Sequence, residues 1–287
     1  MKRKKLIVYS VVVLILSITV YMTYKEMTYY GVRRIEIVTD QRTFEKTPAS
    51  FDEITILFFS DIHYNLFMDK ERLEPFIETI IDLDPDIVLF GGDLYDHPSV
   101  RLPSQQVIDQ LSDLLARIPA RLGKYAVLGN HDHESTRTRA IVSETLQKGG
   151  FMVLVNEETH IYNQQKDKIS LIGLDSQLLG SPDIEKAFSM HDDSLMTIVL
   201  SHTPDIIDLL PINKVDWQLS GHSHGGQIAL PLIGPIMKVP YAQNHIAPTS
   251  IVNGIRLDIS NGIGTTRYDM RLFANPQIHL YTLRYDD

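Results

Sequence analysis

Aspartate and histidine recur along this chain in short clusters: Asp61-Ile62-His63, Gly91-Gly92-Asp93, Gly129-Asn130-His131-Asp132, the isolated His202, and Gly221-His222-Ser223-His224. Carboxylate, imidazole and amide oxygen are the ligand types that hard or borderline divalent cations take. On an extended segment, side chains at i and i+2 face the same way, so Asp61 with His63, and His222 with His224, can each reach one ion. Glycines at 221, 225 and 226 permit the tight backbone needed to aim the second pair. One aspartate can bridge two ions through its two oxygens. Two ions about 3.5–4 Å apart can hold a hydroxide between them and clamp a phosphoryl group. The chain has no cysteine, which excludes disulfides, thiolate metal sites and cysteine nucleophiles. It has no P-loop pattern, and Gly262-x-Gly264 is too short for nucleotide binding and is expected to form a loop. A serine nucleophile would leave the carboxylate–histidine set without a purpose.

The elements that must carry these clusters can be read from periodicity. Short apolar runs at Ile54–Phe59, Ile87–Phe90 and Tyr125–Leu128 read as buried strands, and each ends at a cluster. Helical stripes follow at Met68–Leu83, Val107–Leu115 and Glu134–Lys148, broken by Asp84-Pro85-Asp86 in the first case and Gly149-Gly150 in the last. This is the α/β pattern, in which ligands lie beyond the carboxyl ends of strands. The second half is β-rich. Strands are expected at Met152–Val155, Thr159–Tyr162, Ile169–Leu174, Met196–Leu200, Trp217–Leu219, Gln227–Leu230, Ile251–Leu257 and Ile278–Leu283. The simplest organisation is one domain over residues 50–287, a sandwich of two sheets flanked by helices, preceded by a mixed segment 25–49 with an edge strand near Arg34–Val38.

The net charge is −9, and setting aside the four basic residues Lys2–Lys5 leaves −13 on the remainder. Such a domain is a poor partner for nucleic acid phosphates, so no nucleic acid is expected. Bound divalent ions would offset part of the acidity. Behind the basic tip 1–5, Leu6–Met22 is apolar except for Ser10, Ser17 and Thr19. It spans roughly 26 Å, close to the hydrocarbon thickness of a bilayer. A cleavable signal peptide would show small residues where Tyr21, Met22, Tyr24 and Lys25 stand, so residues 6–24 are expected to be an uncleaved transmembrane anchor. Four basic residues precede the run, while Lys25, Arg33 and Arg34 follow it. That bias puts the basic tip in the cytoplasm and the catalytic domain outside.

The ordered series Asp61-x-His63, Gly92-Asp93, Gly129-Asn130-His131-Asp132, His202 and Gly221-His222-x-His224 resembles the calcineurin-like metallophosphoesterase family. The longer stretch Gly221 to Gln227 is similar to a branch of small bacterial membrane-associated phosphodiesterases, including relatives that act on UDP-2,3-diacylglucosamine. The resemblance implies a four-layer α/β/β/α sandwich of two mixed sheets. It implies one metal on Asp61, His63, Asp93 and His224, and a second on Asp93, Asn130, His202 and His222. The ions would be Mn, Fe, Zn or Mg. His131 would not be a ligand but would stabilise developing charge and protonate the leaving oxygen, with Asp132 orienting its imidazole.

The expected activity is therefore that of a membrane-anchored dimetal hydrolase, acting as a monomer on a phosphodiester or pyrophosphate bond, lipid-linked if the anchor is a guide. A phosphomonoesterase or protein phosphatase would use the same metals, and a catalytically silent metal-binding scaffold would keep the ligands alone. Asp132 has a second reading as the N-cap of the following helix. His97 and His133 are read as solvated loop residues; His160, His191, His245 and His279 as surface or packing residues; Tyr95 and Arg271 as structural. Leu230, Leu232, Ile233, Ile236 and Met237, between Pro231 and Pro240, offer either hairpin packing or an apolar rim facing a lipid.

Overall fold

The computed structural model describes residues 2–286. The apolar N-terminal run has no polar stripe and forms one helix, α1 (Lys2–Lys25), continued by a π-helical turn over Glu26–Tyr30. Its length and hydropathy make it a candidate membrane span, and none of its apolar span is buried inside the protein.

The chain then enters the first sheet through β1 (Glu36–Thr43), followed by β2 (Thr55–Phe59), α2 (Lys70–Leu83), β3 (Ile87–Phe90), α3 (Gln105–Ala116), β4 (Lys124–Ala126), α4 (Thr136–Lys148) and β5 (Phe151–Val153). The second sheet is built from β6 (Glu157–Tyr162), β7 (Lys168–Gly173), a single turn of helix α5 (Ile184–Ala187), β8 (Thr197–Leu200) and β9 (Trp217–Ser220). After a two-residue ladder, β10 (Ala229–Leu230) with β11 (Gly234–Pro235), come β12 (Thr249–Val252), β13 (Ile255–Ile259) and finally β14 (Gln277–Arg284). The six-stranded sheets run β1-β14-β2-β3-β4-β5 and β12-β13-β9-β8-β7-β6. β2 to β5 are parallel, as are β13, β9, β8 and β7, whereas β14 is antiparallel to β2, β12 to β13 and β6 to β7.

Three hydrophobic layers hold the sandwich together, and strand alternation assigns residues to them. Leu57 and Phe59 of β2, with Val88 and Phe90 of β3, pack against Leu73, Phe76, Ile77 and Ile80 of α2 and against α3 and α4. Their neighbours Ile56, Phe58, Ile87 and Leu89 face the second sheet and meet Leu171, Ile198, Leu200, Trp217 and Leu219. A slip of one residue would exchange the two layers. Each such side chain contributes about 1.5–3 kcal/mol on full burial, so the register is strongly specified. The outer face of the second sheet is covered more thinly, by α5 and the 3-10 segment Pro204–Leu209, with Ile206, Ile207 and Leu210 against Val199 and Leu257. The fold is thus the four-layer α/β/β/α sandwich.

The helices start where side-chain caps satisfy free N–H groups. Asp69 accepts from Arg72 N at 2.9 Å and Ser104 caps α3. Ser135 and Thr138 form a capping box at α4, so α4 begins after Glu134, and Glu134 belongs to the preceding loop instead of the helix. Two strand expectations are also corrected. Ile251–Leu257 is not one strand but the hairpin β12–β13, turned at Asn253-Gly254 with φ of 52° and 86°. That is the backbone a two-residue hairpin turn demands. Gln227–Leu230 supplies only the two-residue β10, because Gln227 sits at φ 55° and turns the chain.

Candidate metal centre

β2, β3 and β4 of one sheet and β8 and β9 of the other run parallel within their sheets, and the Asp- and His-rich loops leave their carboxyl ends. Seven side chains converge there: Asp61, His63, Asp93, Asn130, His202, His222 and His224, all less than a tenth exposed. Five of them hold positive φ: Asp61 (55°), His63 (48°), Asp93 (58°), His222 (65°) and His224 (51°). Left-handed backbone at a non-glycine residue is strained, and such strain collects at sites where the surrounding structure over-determines it. Close backbone approach is also required. A Cβ on Gly129 would lie 2.1 Å from Asp93 Oδ1, and one on Gly221 would lie 2.4 Å from Asp61 Oδ2.

The hydrogen bonds behind the imidazoles fix which nitrogen faces inward. His202 Nδ1 donates to the Gly91 carbonyl at 2.8 Å, and His222 Nε2 donates to the Pro240 carbonyl at 2.8 Å. In the neutral rings this leaves lone pairs on His202 Nε2 and His222 Nδ1, and these lie 3.1 Å apart. Asn130 Oδ1 is 3.2 Å and Asp93 Oδ2 is 3.3 Å from the same His202 Nε2. Four acceptors therefore crowd one point. A second set stands beside it. His63 Nε2 and His224 Nε2 are 3.1 Å apart, His224 Nε2 is 3.5 Å from Asp61 Oδ1, and His63 Nε2 is 3.6 Å from Asp93 Oδ2. Behind His63, Asp96 Oδ1 lies 3.3 Å from Nδ1. Acceptors facing acceptors in a buried site call for a cation, and oxygen with imidazole nitrogen is a donor set for divalent metals. The residues therefore fit two ions, with Asp93 common to both sets.

Protonation follows the same crowding. Burial opposes charge on His202, but Asp93 and Asp61 outweigh it and lift its pKa to about 9. Burial also works against the Asp93 carboxylate, yet His202, His131 and His63 hold it well below the usual range. Burial, helped by His202, pushes His222 down to about 4; burial with His63 and Arg271 pushes His224 down too. Neutral imidazole is the form that binds metal, so His222 and His224 are ready for it, while His202 gives up to an incoming cation the proton that Asp93 and Asp61 hold on it.

The calcineurin-like phosphoesterase family model matches residues 54–226, the stretch that holds every one of these side chains. The chain belongs to the calcineurin-like phosphoesterase family. It is 35% identical over 250 residues to the uncharacterized metallophosphoesterase YkuE of Bacillus subtilis, covering 86% of each chain. It is 27% identical to the phosphodiesterase YaeI of Escherichia coli, covering 92% of each, and 29% identical to the UDP-2,3-diacylglucosamine pyrophosphatase LpxG of Chlamydia trachomatis, covering 64% of this chain and 67% of that one. As a member of that family the protein is a hydrolase of phosphate esters.

Around the phosphoesterase centre several roles differ from those expected. Asp132 neither orients His131 nor caps α4. Its Oδ2 accepts from Asp93 N and Gly129 N, both at 2.8 Å, and its Oδ1 accepts from Leu94 N at 3.0 Å. It locks the loops after β3 and β4 together, and burial with the Asp93 charge raises its pKa to about 6. The carboxylate on the His131 imidazole is that of Glu134, with Oε1 2.8 Å from Nδ1. Glu134 Oε1 is also 2.9 Å from His97 Nδ1, and Ser99 N donates to Oε2 at 3.0 Å. Burial opposes the Glu134 charge, but His131 and Ser99 hold its pKa down to about 2. His133 is not a solvated residue: its side chain is buried against Asp175, with Nε2 2.5 Å from Oδ1. Asp96 and Glu134, the carboxylates beside the Nδ1 atoms of His63 and His131, are the positions at this site that the sequence pattern does not single out. Their one signal was spacing, three residues beyond Asp93 and His131. Tyr95 is packed in the core with its hydroxyl 3.0 Å from Thr145 Oγ1. Arg271 donates to the carbonyls of Ala274, Asn261, Gly262 and Gly264, which clamps the 261–264 loop against Asp61.

A cleft of about 440 Å³ opens over the centre. Asp93, Asn130, His131, His222 and His224 form its floor, while Leu178, Ile236, Met237, Val239 and Pro240 line an apolar wall; Lys238 and Arg267 also border it.

Proposed function

We propose that the chain is a membrane-anchored hydrolase of phosphodiester or pyrophosphate bonds that uses two divalent ions. The observation that carries this reading is the pair of acceptor clusters sharing Asp93 at the floor of the cleft that His131 also lines. Asp61, His63, Asp93 and His224 would hold one ion; Asp93, Asn130, His202 and His222 would hold the other. Bound divalent ions supply Lewis acidity toward the phosphoryl oxygens and acidify water at neutral pH.

His131 has the place of a proton donor. Glu134 occupies its Nδ1, which leaves Nε2 for the substrate. Burial works against the imidazolium, but Asp93 and Glu134 outweigh it and lift the pKa to about 9, so the ring carries its proton at neutral pH. It can stabilise charge growing on phosphoryl oxygen and pass a proton to the leaving oxygen. Lys238 and Arg267 are the cations bordering the cleft and suit a substrate carrying few negative charges. The apolar wall suits a substituent on the far side of the phosphate, as in a diester. The names of YaeI and LpxG, a phosphodiesterase and a pyrophosphatase of a lipid-linked nucleotide, favour the same class.

The anchor is α1, and the basic residues ahead of it favour an extracytoplasmic catalytic domain. Protease accessibility on intact cells tests that orientation. For the chemistry, the full chain in detergent is loaded with Mn²⁺ and offered bis(p-nitrophenyl) phosphate and p-nitrophenyl phosphate. Preference for the diester supports the proposal, preference for the monoester transfers the site to a monoesterase, and two bound metals without turnover leave a scaffold.

A further inference from the structure

The β10–β11 hairpin carries Leu232, the most exposed large apolar side chain among the described residues, with two further exposed ones close by. Leu232 is fully exposed (108%), Ile233 is 76% exposed and Ile236 is 57% exposed, and these last two border or follow the tip directly. The tip is stiff: Pro231 and Pro235 flank it, Ile233 N donates to Leu230 O at 3.1 Å, and Ile236 N donates to Ile228 O at 2.9 Å. Little conformational entropy is lost when such a loop is buried by something else, whereas leaving it in water holds a contiguous apolar edge in solvent.

The hairpin is joined to the end of α1 by a short run of backbone hydrogen bonds. Arg271 N donates to Met27 O at 2.9 Å. Its neighbour Leu272 donates to Gln227 O and accepts from Ala229 N, both at 2.9 Å, and Ala229 opens β10. Met27 lies five residues past Met22, the last of the apolar run, or about 7–8 Å along the helix. The headgroup layer outside the hydrocarbon is roughly 5–8 Å thick. The 271–272 segment therefore stands at headgroup depth if α1 spans the bilayer. Ala229 and Leu230 are extended and Pro231–Ile233 turn, so the tip at Leu232 stands less than about 10 Å from Ala229, a distance comparable to the depth of the headgroup layer. Ile236, Met237 and Lys238 continue from the hairpin into the cleft wall, so whatever covers the tip also borders the cleft mouth.

We propose that the Ala229–Met237 hairpin is a second membrane contact: Leu232 and Ile233 dip into the leaflet that α1 leaves, and the catalytic cleft opens onto its lipid headgroups. The occupant is the bilayer surface itself. This rests on the membrane insertion of α1 proposed above. Apolar residues at the tip insert, while Lys238 and Arg267 at the cleft meet anionic headgroup phosphate. An amphiphilic phosphodiester would then reach the metal centre from the plane of the membrane without leaving it.

The test uses the full chain, one copy per lipid nanodisc, in discs with and without brominated phosphatidylcholine chains. The native Trp217 is fully buried and sets the baseline. Three variants add a second tryptophan: Leu232→Trp at the tip, Leu14→Trp in α1, and Ile251→Trp on the exposed face of β12. The proposal expects strong quenching of Leu14→Trp and Leu232→Trp by bromolipid and none for Ile251→Trp. Quenching of Leu14→Trp alone overturns the hairpin contact and leaves the anchor standing; no quenching of either removes both. A blue-shifted but unquenched Leu232→Trp means that protein covers the tip, which also overturns the proposal. In parallel, Leu232→Glu/Ile233→Glu is expected to hydrolyse soluble bis(p-nitrophenyl) phosphate at the wild-type rate and to lose on the order of tenfold on disc-embedded phosphatidyl-p-nitrophenol, about 1.4 kcal/mol. Equal loss on both probes, or on neither, counts against the contact. A wild type inactive on both refutes the proposed chemistry, and the quenching result alone then decides the contact.

Discussion

Two polar clusters in this protein are both buried and differ in how their atoms face one another. Arg42 of β1, the edge strand of the first sheet, meets Asp258 of β13, the second strand of the other. Arg42 Nε is 3.1 Å from Oδ2, and Nη2 is 3.2 and 3.0 Å from Oδ1 and Oδ2. Trp217 Nε1 donates to Oδ2 at 2.9 Å, Thr249 Oγ1 donates to Oδ1, and the guanidinium stands 4.8 Å from the centre of the Tyr281 ring. Every oxygen of Asp258 faces a donor. In the candidate metal centre, His202 Nε2 faces His222 Nδ1, Asn130 Oδ1 and Asp93 Oδ2, and once His202 gives up its proton all four are acceptors. The first cluster is complete and ties the sheets together; the second is complete only with cations. Burial alone does not distinguish structure from function here. Donor–acceptor matching does.

The comparison breaks most visibly at Asp93, the side chain common to both acceptor sets. Asp93→Asn is expected to lower kcat/KM on bis(p-nitrophenyl) phosphate by more than about a thousandfold, since the ions supply several kcal/mol of transition-state stabilisation. Metal content by mass spectrometry should fall with it. In the wild type, Mn²⁺ added after chelation should raise the melting temperature, because an ion that binds the folded state stabilises it. Wild-type activity in Asp93→Asn would remove Asp93 from its shared role.

Asp258→Ala makes the opposite cut. It takes away the buried partner of Arg42 and leaves it only Asp40 and the Gln41 carbonyl, at a cost of up to about 3–5 kcal/mol. Thermal unfolding followed by circular dichroism should show the loss, while metal content per folded molecule stays at the wild-type value. If metal content falls equally, the two clusters are not independent.

What was legible in the sequence divides along similar lines. The residues that converge at the candidate metal centre stand out in the sequence because the signal is local: side-chain types able to ligate a cation, two apart or beside glycine, at the ends of apolar strands. The α/β half was legible for the same reason, since its strands and amphipathic helices alternate. The partners were not. Arg42 meets Asp258 only because β14, the last strand, inserts between β1 and β2, and nothing near either residue announces that. Glu134 reads as helical because helix-forming residues surround it, but α4 starts behind the Ser135 cap at Thr136, two residues beyond it. Asn253-Gly254 did carry a local hairpin signal, which was lost inside an apolar run.

Acid probes the structural cluster more gently. His279, on β14 beside Tyr281, is buried; Tyr281 donates to its Nδ1 at 3.1 Å, and Nε2 has no partner among the described residues. Burial, with Arg42 adding to it, pushes its pKa down to about 4. Above pH 6.5 the ring is neutral in both folded and unfolded chains. Between about pH 6.5 and 4 the unfolded chain takes a proton that the folded one refuses, so stability falls as pH falls, by up to about 3 kcal/mol. His279→Gln should flatten that part of the stability–pH curve relative to wild type. Parallel curves for the two proteins would show that His279 takes no part in acid sensitivity.

The smallest expected effect is at Glu134, which belongs to neither cluster and bonds to the His131 imidazole. If Glu134 positions a proton donor, its loss should depend on the leaving group. A p-nitrophenolate leaves readily without a proton, while an alkoxide needs one, so general-acid help matters only for the second. Glu134→Ala should therefore reduce kcat on an alkyl phosphodiester by about 10–100-fold, hardly change bis(p-nitrophenyl) phosphate, and leave KM near wild type. Glu134→Gln keeps an oxygen acceptor for the Nδ1 hydrogen and should recover part of the rate. A loop that had merely loosened would slow both substrates alike, and equal losses would reduce Glu134 to a brace for the His97–Ser99 turn.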